Sequence, residues 1–544
     1  MIKKLAYNFF KGEKVSNSIT KSAILIAVMG LTSKILGLLR DRILAAKFGA
    51  GDVLDIYYAS FKIPDLIYNL FILGALSAAF IPVFSSLLAR KKEKEAWDLV
   101  NAIISIGSLM VLFLSFLFFV FADQLVGLVV FGYNEEKKQL AVGMTRVMLL
   151  SPFLLGISGI LGGILNSYKK FFFYSLAPIF YNLGIILGAT VLVDKMGVLG
   201  LAWGVVLGAF LHLFVQLPEV VRCGLKFRFN LDWRNKNLRK ILALMIPRTL
   251  GIATAQLNLL IIVTIASTLT SGSLAIFNLA NNLESVPLSL FGISFSIASF
   301  PVLAGLWGEG RREEFGRRLL LTMRKILFFI IPASALVFVV RAQIVRVVLG
   351  AGKFDWQDTY LTFTALGIFA LSLWAQGLIP LLARAFYAMH NTRIPFLAGL
   401  LAGVFNVVVA VWLAKTLGVL GLVWAFSLAS VLNAILLFAW LKPKLVVRGV
   451  VSWKDFSWKL LLATLAMLTV AQLVKQLVGA EPFGSGYTFW GVLTQLLLSV
   501  VSGLVVFVLI AWLLKIEELK DLLEVLWRKI FVKKNFPEDI NSQL

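Results

Sequence analysis

The sequence predicts an all-α polytopic membrane protein, and three observations carry that prediction. Of its 544 residues, 60% are apolar and 15% are charged, whereas soluble domains average about 45–50% apolar and about 25% charged residues. The apolar residues form runs long enough to cross a bilayer as helices, which takes about 20 residues. These runs lack the polar residue at every second position that the strands of an outer-membrane barrel show. A soluble enzyme, a disordered chain and a membrane barrel are therefore excluded.

Fourteen apolar runs have spanning length, and the basic residues indicate their orientation. If both termini are cytoplasmic, most of the 52 lysines and arginines fall in cytoplasmic tails and loops, as the positive-inside rule requires. The predicted transmembrane helices are 22–48, 56–89, 99–122, 139–165, 171–193, 197–221, 241–268, 274–306, 326–349, 359–389, 394–414, 418–440, 457–474 and 488–514.

The positive-inside topology, together with contact to anionic membrane lipids, accounts for the net charge of +24. We therefore expect no nucleic-acid partner. Four lysines precede the first span, but that span has full length and no small-residue cleavage site, so a cleaved secretory signal is not expected. At the other end, residues 515–532 mix apolar and charged residues at helical spacing. This pattern is typical of an amphipathic helix that lies on the membrane surface.

The scarcity of cysteine and histidine excludes further classes of protein. Cys223 is the single cysteine, and His212 and His390 are the only histidines. A disulfide within the chain is impossible, and a zinc site built from cysteine or histidine is not expected.

An internal repeat predicts two lobes. Residues 197–203 (GVLGLAW) recur as 418–424 (GVLGLVW), and weaker matches occur in the same order at nearly the same offset. This offset contains six spans, an even number, so the two copies have the same orientation and are related by a pseudo-two-fold axis along the membrane normal. The predicted organisation is an N-terminal lobe (1–221), a basic cytoplasmic linker (222–240), a C-terminal lobe (241–440), two further spans (441–514) and a cytoplasmic tail (515–544).

Charged side chains inside the predicted spans are the candidates for a site. A basic residue at a helix centre costs about 2.5–3.5 kcal/mol even on the lenient insertion scale, so such residues usually face the bundle interior. Lys34, Arg40 and Asp41 share span 1, Lys62 begins span 2 and Arg248 begins span 7. The functional interpretation is a cationic cavity for an anionic substrate. The alternatives are snorkelling of residues at span ends and an ordinary ion pair between Arg40 and Asp41. Other charged residues within the predicted spans are Arg42, Asp65, Arg146, Glu284 and Arg384.

Several motifs resemble those of the MurJ (MviN) family, and together they cover nearly the whole chain. They are GLTSKILGLLRD at 30–41, FGAG at 48–51 followed by Asp55, FKIP at 61–64, GALSAAFIP at 74–82, LNSY at 165–168, FYA at 386–388 and NTRIP at 391–395. The resemblance implies two lobes of six spans with two additional C-terminal spans. It also implies a lipid II flippase, which moves the undecaprenyl-pyrophosphate-linked peptidoglycan precursor from the inner to the outer leaflet. The family belongs to the superfamily of MATE multidrug exporters and O-antigen flippases.

The resemblance implies roles for particular residues. Arg40, Asp41 and Asp55 occupy family positions associated with activity, and all three match the family. Lys34 stands where the family usually has arginine, which keeps the charge but loses the bidentate geometry that suits phosphate.

Two departures from the family pattern concern residues that would hold the headgroup. At two positions where the family has important arginines, this chain has asparagine instead: Asn69 in span 2 and Asn282 in span 8. We hypothesise that Lys62 and Arg248 replace them as phosphate partners. Some relatives have a sodium site in the second lobe, for which Asn406 is a candidate ligand, although no carboxylate lies nearby in spans 11 and 12.

These features predict a monomeric flippase of the bacterial cytoplasmic membrane whose lobes rock about a central cavity. The substrate is lipid II or a related polyprenyl-pyrophosphate glycan, and no cofactor is expected beyond coupling to the membrane potential or a monovalent cation. The sequence has no P-loop of the G-x-x-x-x-G-K-[ST] type. The alternatives are a flippase for another lipid-linked glycan, a MATE-like exporter, which should offer acidic residues, and a non-transporting scaffold. A membrane glycosyltransferase or phosphatase is disfavoured because both histidines are isolated.

Overall fold

The protein is helical throughout the part of the chain that the structure describes. The computed structural model describes residues 19–70, 76–446, 452–479, 488–521 and 523–524, and every regular element within these ranges is a helix. Eleven helical segments are long and apolar enough to cross a membrane. The prediction of an all-helical polytopic membrane protein is therefore confirmed.

The first half of the chain forms a succession of helices with short connections. They are α1 Ile19–Phe48, α2 Asp52–Ser60, α3 Lys62–Tyr68, α4 Leu76–Ala89, α5 Glu93–Val120, α6 Ala122–Val129, α7 Glu135–Met148, α8 Ser151–Ser167, α9 Phe171–Leu187, α10 Val193–Met196, α11 Leu199–Phe214 and α12 Leu217–Arg222, with a π-helical segment at Gly188–Leu192.

The second half has longer helices. They are α13 Lys236–Ser267, α14 Ser273–Pro287, α15 Ser294–Gly308, α16 Arg312–Val348, α17 Trp356–Ala388, α18 Arg393–Leu417, α19 Val419–Leu441, α20 Trp453–Gly479 and α21 Phe489–Leu513. A π-helical segment, Leu288–Ile293, joins α14 to α15, and a short 3₁₀ helix, Lys442–Lys444, follows α19.

Every predicted span falls on a helix or on a run of helices. The eleven segments that meet the length and hydropathy requirement cover eleven of the predictions. The other three predictions, 22–48, 56–89 and 241–268, coincide with α1, with α2 to α4 and with α13. Residues 71–75 within the second of these lie outside the described residues. The exact count of fourteen stays a prediction.

Two of the predicted spans differ from the helices of the structure. The span predicted at 139–165 is divided into α7 and α8, and Pro152 occupies the first turn of α8. Proline is tolerated there because the first backbone N–H groups of a helix have no partner within it. The span predicted at 326–349 covers the C-terminal part of the 37-residue helix α16, which ends at Val348 and has a kink at Val340 with φ of −103° and ψ of 18°.

One compact unit consists of residues 1–279, 348–358 and 403–422. An apolar core in it includes Phe80, Phe84, Leu99 and Ile164. Glycines bring α9 and α11 into backbone contact, because a methyl group at Gly184 would overlap the backbone of Gly208. Small residues of this kind allow transmembrane helices to approach closely and gain dispersion energy where lipid supplies no hydrophobic driving force.

The other compact unit consists of residues 280–347, 359–402 and 423–544. One core surrounds Phe315, Ile330 and Phe386, and another joins α16 to α20 and α21 through Phe328 and Met467. Residues 517–521 of the predicted amphipathic tail are helical, whereas most of that tail lies outside the described residues.

The two copies of the repeated glycine motif have the same local structure. The first glycine has positive φ in both copies, +61° at Gly197 and +57° at Gly418, a conformation that costs glycine little. The second glycine, Gly200 or Gly421, lies against the backbone of the preceding helix with no room for a side chain. The predicted division into lobes at 1–221 and 241–440, and a repeat extending over six spans, stay predictions.

Candidate functional site

Arg40 lies inside the helical bundle of the first unit and is held by two polar partners. Its Nη2 is 2.8 Å from Oδ1 of Asp41, and its Nη1 donates to Oδ1 of Asn182 on α9 at 3.2 Å. Asn182 in turn donates from Nδ2 to the carbonyl of Pro178 at 3.0 Å, so its oxygen faces the guanidinium. The Asp41 side chain is 3% exposed and that of Arg40 is 21% exposed. The ion pair that the sequence left as an alternative is therefore present, and part of the guanidinium remains accessible.

Lys34 differs from Arg40 in its surroundings, although both belong to α1. Lys34 is exposed, whereas Arg40 is half-buried and Asp41 is buried. The lining of a cavity by Lys34 stays a prediction.

Asp55 anchors the beginning of α14. Its carboxylate is buried and accepts hydrogen bonds from the backbone N–H groups of Gly272 and Ala275, both at 2.7 Å. The first N–H groups of a helix have no partner within the helix, and a carboxylate placed there also interacts favourably with the helix dipole. Asp55 thus supplies the cap of α14 from a distant part of the chain.

Asp52 adds a second polar connection at the same place. Its carboxylate accepts hydrogen bonds from Nζ of Lys137 at 2.6 Å and from the hydroxyl of Ser271. Partial burial of Asp52 acts to raise its pKa, but the hydrogen bonds from Lys137 and Ser271 outweigh that effect and lower the pKa below its ordinary value. The carboxylate is therefore held in its charged form.

The end of α1 and its connection to α2 also contact the segment 348–358. The Lys353 N–H donates to the carbonyl of Ala46 at 2.8 Å, and the Ala50 N–H donates to Asp358 at 2.9 Å. Close backbone packing accompanies these bonds, because a side chain at Gly272, whose φ is +87°, would overlap the Ala50 carbonyl oxygen. We call these contacts of residues 46–55 with 271–275 and 348–358 the α1–α2 junction.

The remaining sequence-predicted residues belong to three different helices. Lys62 and Asn69 are half-buried at the two ends of α3, and Asn282 is half-buried on α14 in the second unit. Arg248 belongs to α13, but its side chain lies outside the described residues. Their roles toward a phosphate stay predictions.

Asn406 is fully buried, and its Nδ2 donates to Oδ1 of Asn258 on α13 at 3.1 Å. The Oδ1 atom of Asn406 is buried without a hydrogen-bond partner in the described part of the chain. Within the same described residues, no group of three or more histidine, cysteine, aspartate or glutamate side chains could hold a metal ion. The role of Asn406 as a cation ligand stays a prediction.

Sequence reasoning missed several residues that contribute to these arrangements. No local sequence pattern links Asn182 to Arg40. Asp52, Lys137 and Asp358 lie at helix ends, where charged residues are common. Their association with the α1–α2 junction depends on contacts between segments far apart in sequence.

Comparison with known families gives one consistent result. The family model described as "Lipid II flippase MurJ" matches residues 44–494. The chain is 29% identical over 476 residues to a Buchnera aphidicola protein named "Probable lipid II flippase MurJ", covering 86% of this chain and 92% of that protein. It is 30% identical over 493 residues to a Thermotoga maritima protein of the same name, covering 90% and 96%.

Solved structures agree. The chain superimposes on "Lipid II flippase MurJ, inward closed conformation" with a TM-score of 0.74 and 25% identity, covering 93% of this chain and 99% of that one. An inward-facing MATE family transporter of the MOP superfamily gives a TM-score of 0.62 at 17% identity, covering 78% of this chain and 98% of the transporter, which shows a likeness of fold alone.

Proposed function

The chain belongs to the lipid II flippase MurJ family, and on that premise we propose that it moves lipid II from the inner to the outer leaflet of the bacterial cytoplasmic membrane. The family match over 44–494 carries this proposal. The protein is thus a multi-pass membrane transporter and not an enzyme.

We further propose fourteen spans in two six-span lobes with both termini cytoplasmic and the protein acting as a monomer. The matching local geometry of Gly197 and Gly418 supports a repeat, and the distribution of basic residues supports the orientation. In this orientation the α1–α2 junction lies on the non-cytoplasmic side. Anionic lipids would contact the basic cytoplasmic loops.

The proposed substrate site is a cationic central cavity lined by Lys34, Arg40, Lys62 and Arg248. The polyprenyl tail can remain in lipid, whereas the polar headgroup is costly to transfer across an apolar core. Arg40 is the best-supported member, because Asp41 and Asn182 orient its guanidinium while part of it stays accessible. A guanidinium forms strong charge-assisted hydrogen bonds with phosphate.

The membrane potential would supply a driving force for this transport. An inside-negative potential contributes about 2.3 kcal/mol per 100 mV for each negative charge that moves outward.

In the proposed alternating-access cycle the α1–α2 junction separates, which breaks the hydrogen bonds of Asp55 with Gly272 and Ala275. These bonds offer a barrier that headgroup binding would have to offset.

Particular residues bear on three alternatives. Asn69 and Asn282 stand where the family usually has arginine, which favours a related polyprenyl-pyrophosphate glycan or a non-transporting scaffold as the second candidate. A MATE-like exporter of cationic drugs is weaker, because the charged residues proposed for the cavity are mainly basic.

The test is reconstitution of the purified protein into vesicles that contain lipid II, with headgroup accessibility measured on both faces. We expect Arg40→Ala to lower the translocation rate about tenfold to a hundredfold, because one charge-assisted bond contributes about 1.5–3 kcal/mol. Lys92→Ala is the matched control, since Lys92 is exposed and pairs with Glu95 in the first turn of α5. A wild-type rate in the Arg40 variant would refute the cavity, and no translocation by the wild type would favour the scaffold.

A further inference from the structure

Glu284 is a buried carboxyl group that the proposed mechanism does not use. It lies on α14 in the second unit and is 2% exposed. Its Oε1 accepts a hydrogen bond from the Gln376 amide of α17, and the same amide nitrogen lies 3.0 Å from the Ser372 hydroxyl. The Oε2 atom is buried and has no hydrogen-bond partner among the described residues.

The surroundings of Glu284 favour a neutral carboxyl group. An ionised carboxylate needs a cation or several hydrogen bonds when it is removed from water, and otherwise it takes up a proton. No ion pair of Glu284 occurs in the described part of the chain. Arg384, the basic residue further along α17, donates to the Ser296 hydroxyl at 2.6 Å.

Two basic groups on the neighbouring helix α16 have their own contacts. Arg324 pairs with Glu518 at 2.7 Å, and Arg341 donates to the carbonyl of Phe338. Neither is described in contact with Glu284. Gln376 therefore supplies the one described hydrogen bond to this carboxyl group, and an amide donor does not neutralise a charge.

The helix that carries Glu284 has a joint directly after it. Pro287 ends α14, and the π-helical segment Leu288–Ile293 follows. Proline removes a backbone hydrogen bond and π-helical turns occur frequently at functional sites. Within the π-helical segment the chain touches α17, because a methyl group at Gly292 would lie 2.7 Å from the Gly377 Cα. Bending at Pro287, before this contact, would separate Glu284 from Gln376 while the contact remains.

We propose that Glu284 is a proton-binding site, protonated in the described conformation and deprotonated when it reaches water in another conformation of the transport cycle. The coupling to transport rests on the proposed function, whereas the protonation itself does not. The atoms around it favour a proton over a metal cation. The Gln376 nitrogen, a donor, faces the carboxyl group, whereas hard cations require several oxygen ligands.

The first test is independent of transport. Infrared spectroscopy of the purified protein at neutral pH distinguishes a protonated carboxyl group from a carboxylate. We expect Glu284→Gln to lose one protonated-carboxyl band that Glu309→Gln retains, since Glu309 is exposed and paired with Arg311. Gln376→Met keeps the carboxyl group and should shift the same band by removing its hydrogen-bond donor. The proposal is overturned if neither Glu284→Gln nor Gln376→Met changes the protonated-carboxyl region of the spectrum.

The second test uses lipid II vesicles with the membrane potential clamped by potassium and valinomycin. We expect an imposed tenfold proton gradient to change the wild-type translocation rate several-fold, and Glu284→Gln to lose this dependence. A wild type that translocates equally with and without the gradient overturns the inference but leaves the proposed function standing. A response to a sodium gradient that Glu284→Gln abolishes overturns the proton as the ligand. Absence of translocation under every condition counts against the proposed function, and the infrared result then decides the inference alone.

Discussion

Removing the Asp55 carboxylate should release the first turn of α14. Asp55→Ala leaves the N–H groups of Gly272 and Ala275 without the acceptor that each now contacts at 2.7 Å. A buried donor left without a partner costs about 1–3 kcal/mol, so the two together cost about 2–6 kcal/mol if no water replaces the carboxylate. Since about 1.4 kcal/mol corresponds to a factor of ten, local opening at residues 271–275 becomes at least roughly thirtyfold more frequent.

Hydrogen–deuterium exchange measures this opening directly. We expect the peptide containing residues 271–275 to exchange at least about thirtyfold faster in Asp55→Ala, with a smaller effect in Asp55→Asn, which keeps one acceptor oxygen. Asp455→Asn is the control, because Asp455 forms an exposed pair with Lys459 within α20, and such pairs contribute about 0.3–0.5 kcal/mol. Exchange within threefold of wild type in Asp55→Ala would refute the capping argument.

Two further predictions concern the α1–α2 junction. Gly272→Ala should lower the melting temperature, because the methyl group would overlap the Ala50 carbonyl oxygen and the φ of Gly272 is +87°. The control Gly310→Ala should lower the melting temperature less, because Gly310 has a similar φ of +77° but open space around it. Equal shifts in the two variants would contradict the packing argument. Asp52 has a pKa lowered below its ordinary 3.8, so the stability it contributes is fully present above that value and is lost as the pH falls through the lowered pKa. The melting-temperature difference between wild type and Lys137→Met should therefore be constant near neutral pH and shrink below about pH 4, and a difference that persists at lower pH would contradict this assignment.

The helices were predictable because the bilayer imposes a strong and local requirement. A spanning segment must satisfy its own backbone hydrogen bonds and present apolar side chains, and both properties can be read from about 20 consecutive residues. For this reason every predicted span falls on helical structure. The break between α7 and α8 was missed, because apolar composition continues across it.

The candidate site was only partly predictable. The charge of Arg40 within an apolar run marked it as a residue that faces the bundle interior, and an ion pair with Asp41 was one of the alternatives. Asn182 lies 142 positions away, and Asp55 meets α14 at separations of 217 and 220 positions. No periodicity or spacing encodes such pairings, because they depend on how helices pack.

The sequence alone determined that this chain folds in a bilayer, that its fold class is helical and where charged residues occur within the apolar spans. Hydropathy and charge are properties of each residue, so they can be read without a structure. Tertiary structure decided what those charges contact. It placed Arg40 against Asn182, used Asp55 as the cap of a distant helix and, among the described residues, left Glu284 with a single amide donor. The physical reason is that hydrogen bonds and ion pairs act over a few ångströms, so they exist only after packing has brought remote helices together.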